Sequence, residues 1–345
     1  MTRTQTIPPT MRASVLVTAG SIRTEQRPVP TPAPDEVLVR VTAVGVCGSD
    51  VHFYHDGHLG DWIVTEPLVL GHESGGTIVA VGSDIDPARI GQRVSIEPQH
   101  PSTSSHETLR GDYNLDPDMA FYAVPGTDGA FQEYVTIQSH FAHAVPENVS
   151  DHAAALMEPL SVAIASARKA RITAGSRVFV TGAGPVGIAI AQVARAFGAT
   201  EIVVSDTAAA RRESALRFGA TSVVDPLAVD ASALAGFDAF LDASGAASAV
   251  RSGILALRPA GRAVLVGMGA PEISLPITAI QNRELVVTGV FRYANTWPTA
   301  IDLVAHDRVD LDGMVTGTFG LDEVQAALEA TGDPTSLKAV VEPGR

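Results

Sequence analysis

The chain has 345 residues, carries 24 Lys and Arg against 38 Asp and Glu for a formal charge of -14, and is 46% hydrophobic. That length leaves room for two domains with cores of their own. The acidity argues against a nucleic-acid partner, which needs concentrated Lys and Arg, and no apolar run is long enough to span a bilayer. The single cysteine, Cys47, excludes an internal disulfide and suits a reducing cytoplasm. The opening Met1-Thr2-Arg3-Thr4-Gln5-Thr6-Ile7-Pro8-Pro9 lacks the apolar centre of a signal peptide and reads as a short flexible arm.

From Met11 onward, strands and turns dominate. Val37 to Val41 mixes β-branched and charged residues as a half-buried strand does, after a proline-rich loop from Pro28 to Pro34. Gly75, Gly76 and Gly82 bracket a second strand, Thr77 to Val81, and further strands are expected at Arg93 to Ile96 and Phe131 to Ile137. Short strands with this punctuation indicate a small irregular β-barrel. Ser150 is placed to cap an alanine-rich helix that runs to Met157. Glu158-Pro159 is expected to interrupt it before a helical pattern resumes over Leu160 to Ala170.

The rhythm then changes. A buried strand, Arg177 to Thr181, runs into Gly182-Ala183-Gly184-Pro185-Val186-Gly187, a helix from Ile188 to Phe197, and a strand from Glu201 to Ser205 ending at Asp206. Glycines between strand and helix, with an acid about 20 residues on, form the dinucleotide fingerprint. The loop lets the backbone approach a pyrophosphate, and the helix start offers free N–H groups to it. Alternation continues through Asp238 to Asp242, Ala247 to Leu257, Arg262 to Gly267 and Leu285 to Gly289, as in a doubly wound parallel sheet. After Phe291 come a helix near Trp297 to Ala305, a strand at Met314 to Phe319, a helix from Leu321 to Thr331 and a strand from Lys338 to Val341.

The chemistry is concentrated earlier, between Cys47 and Glu73. Cys47, His72 and Glu73 offer a thiolate, an imidazole and a carboxylate, three corners of a tetrahedral zinc site whose fourth corner is open. The plainer reading of Cys47 alone is a small buried apolar residue. No second thiolate exists, so any third ligand is N or O, with Glu73 first and Glu158 next in line. His55 and His58 continue a three-residue spacing from His52 and read as solvated, as do His100 and His106.

Gly71-His72-Glu73 with Gly76, Gly82 and Ile85 resembles the signature of zinc-dependent medium-chain alcohol dehydrogenases. The runs Cys47 to His52, Ile96-Glu97-Pro98, Tyr113-Asn114-Leu115, Glu158 to Val162 and Gly289 to Tyr293, with Asn295-Thr296-Trp297-Pro298, are similar to the sorbitol and xylitol dehydrogenases of the polyol branch. The likeness extends from about Met11 to the end of the chain. It implies an α/β plus β fold. A GroES-like barrel catalytic domain, residues 1–157 completed by 291–345, would accompany a Rossmann NAD-binding domain at 158–290, with the active site in the cleft between them.

It further implies that Cys47, His72 and Glu73 bind one catalytic zinc, with Glu158 contacting the metal's water or joining its ligands. Ser49 and His52 match the family's proton relay. Gly182, Gly184, Pro185, Val186, Gly187, Asp206 and Arg211 would bind NAD. Arg292 and Tyr293 offer donors to a polyol, and Phe53 and Phe121 an apolar wall, although close relatives often carry tyrosine where Phe53 stands. Four cysteines hold a structural zinc in many relatives; Ser102, Ser105, Thr108 and Asp116 stand at those positions, so no structural zinc is expected.

The activity implied is oxidation of a secondary hydroxyl of sorbitol, xylitol or a similar polyol to the ketose, by a cytoplasmic homodimer or homotetramer with no membrane or nucleic-acid partner. Other readings are a dehydrogenase for another secondary alcohol or an amino-acid hydroxyl, and more distantly a non-enzymatic dinucleotide sensor. Arg211 and Arg212 follow Asp206 closely; an arginine there can pair with a 2′-phosphate, and the favoured alternative is that both lie on a solvated helix face.

Overall fold

The computed structural model describes residues 7–229 and 234–345; of the arm expected at Met1 to Pro9, Met1 to Thr6 lie outside them. The chain divides into two compact units, Met1–Glu158 with Leu311–Arg345, and Pro159–Asp310.

The first unit is built on a seven-stranded sheet. Ala142–Ala144, Arg93–Ile96, Glu73–Val81, Glu36–Gly45, Lys338–Glu342 and Val315–Gly320 follow in that order, and Tyr134–Gln138 also pairs with Glu36–Gly45. A three-stranded sheet of Ser21–Pro28, Thr10–Thr18 and Leu68–Val69 accompanies it. Alternating apolar residues from these strands, including Val37, Val39, Val41, Ile78, Val94 and Ile96, fill one barrel core. The C-terminal strand Lys338–Glu342 is integral to this sheet, pairing with Glu36–Gly45 from nearly three hundred residues away in sequence (about 300).

The segment after Gln99–His100 carries the four positions of interest without a thiolate. Ser102 N–H donates to the Asp116 carboxylate, the Ser105 hydroxyl lies 2.9 Å from that of Thr108, and Ser105 caps the short helix His106–Leu109. Beneath it, buried Glu97 accepts from Tyr113 Oη at 2.7 Å and Gln99 Nε2 at 3.0 Å, and pairs with His143 Nε2 at 2.9 Å. His106 is exposed, but His100 is half-buried against Tyr122 rather than solvated, and burial lowers its pKa.

The second unit is a six-stranded parallel sheet ordered Ser222–Val224, Glu201–Ser205, Arg177–Thr181, Phe237–Asp242, Leu257–Leu265 and Val286–Gly289. Order reverses between the third and fourth of these, the switch point at which such sheets bind nucleotides.

Two boundaries differ from the sequence expectation. Helix Asp151–Ala155, capped by Ser150, ends before Leu156, and a new helix runs over Met157–Ala170. Pro159 thus lies in a first helical turn, where its missing N–H has no partner to lose and no break results. The return to the first unit falls at Asp310/Leu311 instead of 290/291. Arg168 binds Asn295 O and Thr299 Oγ1, and Gln192 exchanges two hydrogen bonds with the Asp310 backbone, which ties residues 295–310 to the second unit. No helix among the described residues is long and apolar enough to cross a membrane.

Candidate active site

Three strand ends and one helix start converge in the first unit. Glu73 opens its strand opposite Gly45, the last residue of Glu36–Gly45, and Val340 pairs with Gly45 on the other side. Past Gly45 the chain turns at Cys47, which caps helix Gly48–Asp56. His72 immediately precedes the Glu73 strand. The ligand atoms of Cys47, His72 and Glu73 all lie within 4.8 Å of one another, and no other such group occurs among the described residues.

Glu73 is 1% exposed, and its two oxygens differ. Oε1 accepts from Lys338 Nζ at 2.6 Å, while Oε2 is buried and accepts no hydrogen bond. A buried, unbonded carboxylate oxygen is costly unless a cation meets it. Lys338 is itself buried and also donates to Val46 O at 2.8 Å. Burial lowers the Lys338 pKa, but the charges of Glu73, Cys47 and Glu158 outweigh it and raise it overall.

His72 has a second anion behind it. Asp50, the third residue of the helix, is 1% exposed and accepts from Cys47 N at 3.0 Å and Gly71 N at 2.9 Å. Its Oδ1 stands 3.6 Å from His72 Nδ1. Burial pulls the His72 pKa down, yet Asp50 and Cys47 hold it well above the ordinary imidazole value. Burial likewise raises Asp50, and His72 with the two backbone donors outweighs this and lowers it. Glu73, Cys47 and Glu158 thus act on Lys338, and Asp50 with Cys47 on His72, an anion-rich cluster that favours an added positive ion. Sulfur, nitrogen and oxygen donors together suit zinc.

The other expected residues lie as follows. Ser49 sits in the first turn of the helix, partly buried. His52 is half-exposed, with Nδ1 3.0 Å from Asp56 Oδ2, and His55 and His58 are exposed. The Phe121 ring lies 5.6 Å from that of His72. Glu158 is 6% exposed, in the first turn of Met157–Ala170. Phe53 differs from its expected place on a substrate wall. It is 2% exposed and packed in the barrel core, on the inward side of the helix that bears Cys47 at its start.

In the second unit, Gly182 has φ +88°, and a Cβ there would meet the Ala243 backbone at 2.9 Å. A Cβ on Gly187 would stand 1.8 Å from Gly182 O, so the turn closes only with glycine. Gly184 caps helix Pro185–Ala196, with Pro185 and Val186 in its first turn. Asp206 accepts from Ala183 N and Ala208 N, both at 2.8 Å, which ties the acid to the glycine loop. The two arginines do not share one solvated face. Arg212 binds Asp206 O, Thr207 O and Asp225, whereas Arg211 Nη1 lies 3.4 Å from where a Gly184 Cβ would stand. Arg292 has φ +52° and stacks on Phe291, and Tyr293 is buried edge-on to Trp297.

Residues 33–147 match the alcohol dehydrogenase GroES-like domain and 185–306 the zinc-binding dehydrogenase model. Sorbitol dehydrogenase of Gallus gallus is 38% identical over 328 residues, covering 92% of each chain. This chain belongs to the zinc-dependent medium-chain alcohol dehydrogenases, in their polyol branch. An Aspergillus clavatus relative, "Probable D-xylulose reductase A", is 39% identical to this dehydrogenase over 340 residues, 95% of each chain. A solved structure from E. coli CFT073, described as a short chain alcohol dehydrogenase complexed with cofactor NADH, superposes with TM-score 0.91 at 27% identity. It covers 97% of this chain and 100% of the other.

Three contributors to the dehydrogenase's site were missed in the sequence reading. Asp50 stood in the quoted motif, at the helix position that reaches back to its own cap. Gly45 is visible only through strand register. Lys338 had one signal, a charge directly before the apolar run Ala339 to Val341.

Proposed function

We propose that this dehydrogenase oxidises a secondary hydroxyl of a polyol such as sorbitol or xylitol to the ketose, with one zinc per chain and NAD as hydride acceptor. The observation that carries this is the Cys47–His72–Glu73 cluster, with His72 and Glu73 buried and one Glu73 oxygen unbonded, within the family named above. The relatives' names supply the polyol class.

Bound zinc supplies a Lewis acid that lowers the pKa of a hydroxyl brought to it. Cys47, His72 and Glu73 hold it, and Glu158 contributes a nearby carboxylate. Asp50 orients the His72 ring and the Cys47 turn through its bonds to both flanking amides. Ser49 passes the hydroxyl proton onward, and His52, half-exposed and paired with Asp56, returns it to solvent. Phe121 keeps one side of the site apolar. Arg292 and Tyr293 donate to the remaining hydroxyls.

NAD preference rests on Asp206, whose carboxylate is held at the glycine loop where a ribose hydroxyl pair would meet it and a 2′-phosphate would be repelled. Arg211, beside Gly184, is assigned to the cofactor's pyrophosphate. One zinc per chain is supported by the lobe, where no thiolate stands, Asp116 accepts from the Ser102 backbone N–H and the Ser105 hydroxyl bonds that of Thr108. A cytoplasmic dimer or tetramer completes the reading.

Initial rates with NAD and NADP across sorbitol, xylitol, ribitol, arabinitols, mannitol and galactitol test it, with 2-butanol as control. NAD with at least one polyol is expected to exceed 2-butanol in kcat/KM by about a hundredfold or more. A preference for 2-butanol would defeat the assignment.

A further inference from the structure

Lys338 is a buried cation that the activity itself does not call for. A positive charge next to a metal ligand repels the metal, so its presence needs another reason. Lys338 Nζ donates to Glu73 Oε1 at 2.6 Å and to Val46 O at 2.8 Å, with its side chain 3% exposed and that of Glu73 1% exposed. Val46 adjoins Cys47, so this one ammonium grips the turn that presents the thiol and the strand that presents the carboxylate.

It engages only one Glu73 oxygen and leaves Oε2 unbonded. The strand partner contributes to the same arrangement. A Cβ on Gly45 would stand 2.0 Å from that oxygen, so Gly45 gives the carboxylate its room while Lys338 fixes its rotation.

We propose that Lys338 is a positioning residue that stands in for the metal, keeping the Glu73 charge compensated and the ligand set assembled while the site is metal-free. This rests on the reading of Glu73 as a zinc ligand. Removing one partner of a buried pair leaves the other charge uncompensated, which costs far more than the pair contributed. In the metal-free chain, Lys338→Met leaves Glu73 without the cation that hydrogen-bonds it. In the loaded chain the zinc remains, and a repelling neighbour has been removed. Loss of stability therefore falls mainly on the metal-free form, and by linkage the variant binds zinc more tightly than the parent. A residue that merely orients Glu73 for coordination would have the opposite effect on affinity.

The test uses the full chain, zinc-loaded or stripped with chelator, as the parent, Lys338→Met and Lys338→Arg. Melting temperatures of both forms and zinc affinity by chelator competition are measured. Lys338→Met is expected to lower the metal-free Tm by at least about 5 °C more than the loaded Tm. Its zinc dissociation constant is expected to fall about tenfold. Lys338→Arg should recover most of the metal-free Tm. A Lys338→Met chain that folds only with zinc present also supports the proposal. Equal Tm losses in the two forms, failure to fold in either, or weaker zinc binding would overturn it. Glu73→Gln in the same competition assay separates the two claims. If it binds zinc as the parent does, the ligand reading fails. If it loses zinc while Lys338→Met binds no tighter than the parent, only the role given to Lys338 fails.

Discussion

Gly45→Ala puts a methyl group in place of a hydrogen at a point where the ligand set has no slack. An ideal Cβ there lies 2.0 Å from Glu73 Oε2, 2.8 Å from Leu156 Cδ2 and 3.1 Å from Glu73 Cδ. Ordinary non-bonded contact is about 3.5 Å, so roughly 1.5 Å of overlap must be relieved. The backbone cannot supply it, because Gly45 is paired to Glu73 on one side and Val340 on the other. Lys338 holds the far carboxylate oxygen at 2.6 Å, so the carboxylate can escape only by breaking that bond or by moving Oε2 away from Cys47 and His72. Zinc sites tolerate ligand distances within about 0.2 Å, and a shift of about 1 Å removes the ligand. Gly45 does not occupy the left-handed region, so alanine brings no backbone strain, and stability should fall by only the ~1–3 kcal/mol of local overpacking. Zinc affinity should fall about a hundredfold or more, at or above the upper end of the range for outer-sphere changes. Chelator competition and calorimetric melting of the same preparations measure both quantities. The double variant Gly45→Ala, Glu73→Gln should bind zinc no worse than Glu73→Gln alone. A Gly45→Ala protein that binds zinc within about threefold of the parent would refute the placement of Glu73 as a ligand.

The metal's stabilising effect should depend on pH. With its folded pKa well above the ordinary 6.5, His72 stabilises the metal-free chain fully below that value and loses this contribution as pH rises through the folded pKa. Zinc requires the neutral imidazole, so the Tm gain on loading should grow as pH rises from about 6.5 through the folded pKa, and a pH-independent gain would contradict the assignment. Asp206→Ser keeps an acceptor for Ala208 while removing the charge. It should lower the NAD-to-NADP ratio of kcat/KM about tenfold, and an unchanged ratio would move cofactor choice elsewhere. Arg292→Ala should reduce kcat/KM for a polyol at least about tenfold more than for 2-butanol, with zinc content unchanged; equal losses would make Arg292 a structural residue.

Much of this was legible because it is local. Strands such as Arg93–Ile96 and Glu201–Ser205, and the glycine turn ahead of Pro185, declare themselves through β-branched runs and breakers within a few residues. What escaped was set by contacts distant in sequence. Gly45 matters because Glu73 is its cross-strand partner, and Lys338 because the last strand joins the first unit's sheet 265 residues beyond Glu73. Phe53 was misplaced because helix Gly48–Asp56 has no strong apolar face to show which side is inward. The Glu158-Pro159 break was misjudged because proline terminates a helix in its interior but starts one comfortably. Arg211 and Arg212 are adjacent in sequence, and only contacts made in the fold, those of Arg212 to Asp225 and to the Asp206 and Thr207 carbonyls, separate their roles.

The central claim is that Cys47, His72 and Glu73 hold a single zinc on which polyol oxidation depends. The most direct measurement is a titration of the chelator-stripped chain with zinc, following NADH formation from sorbitol or xylitol and metal content by elemental analysis together. Activity should rise linearly and reach its plateau at about one zinc per chain. Full activity in the stripped chain, or a plateau reached only at about two tightly held zincs, would contradict it.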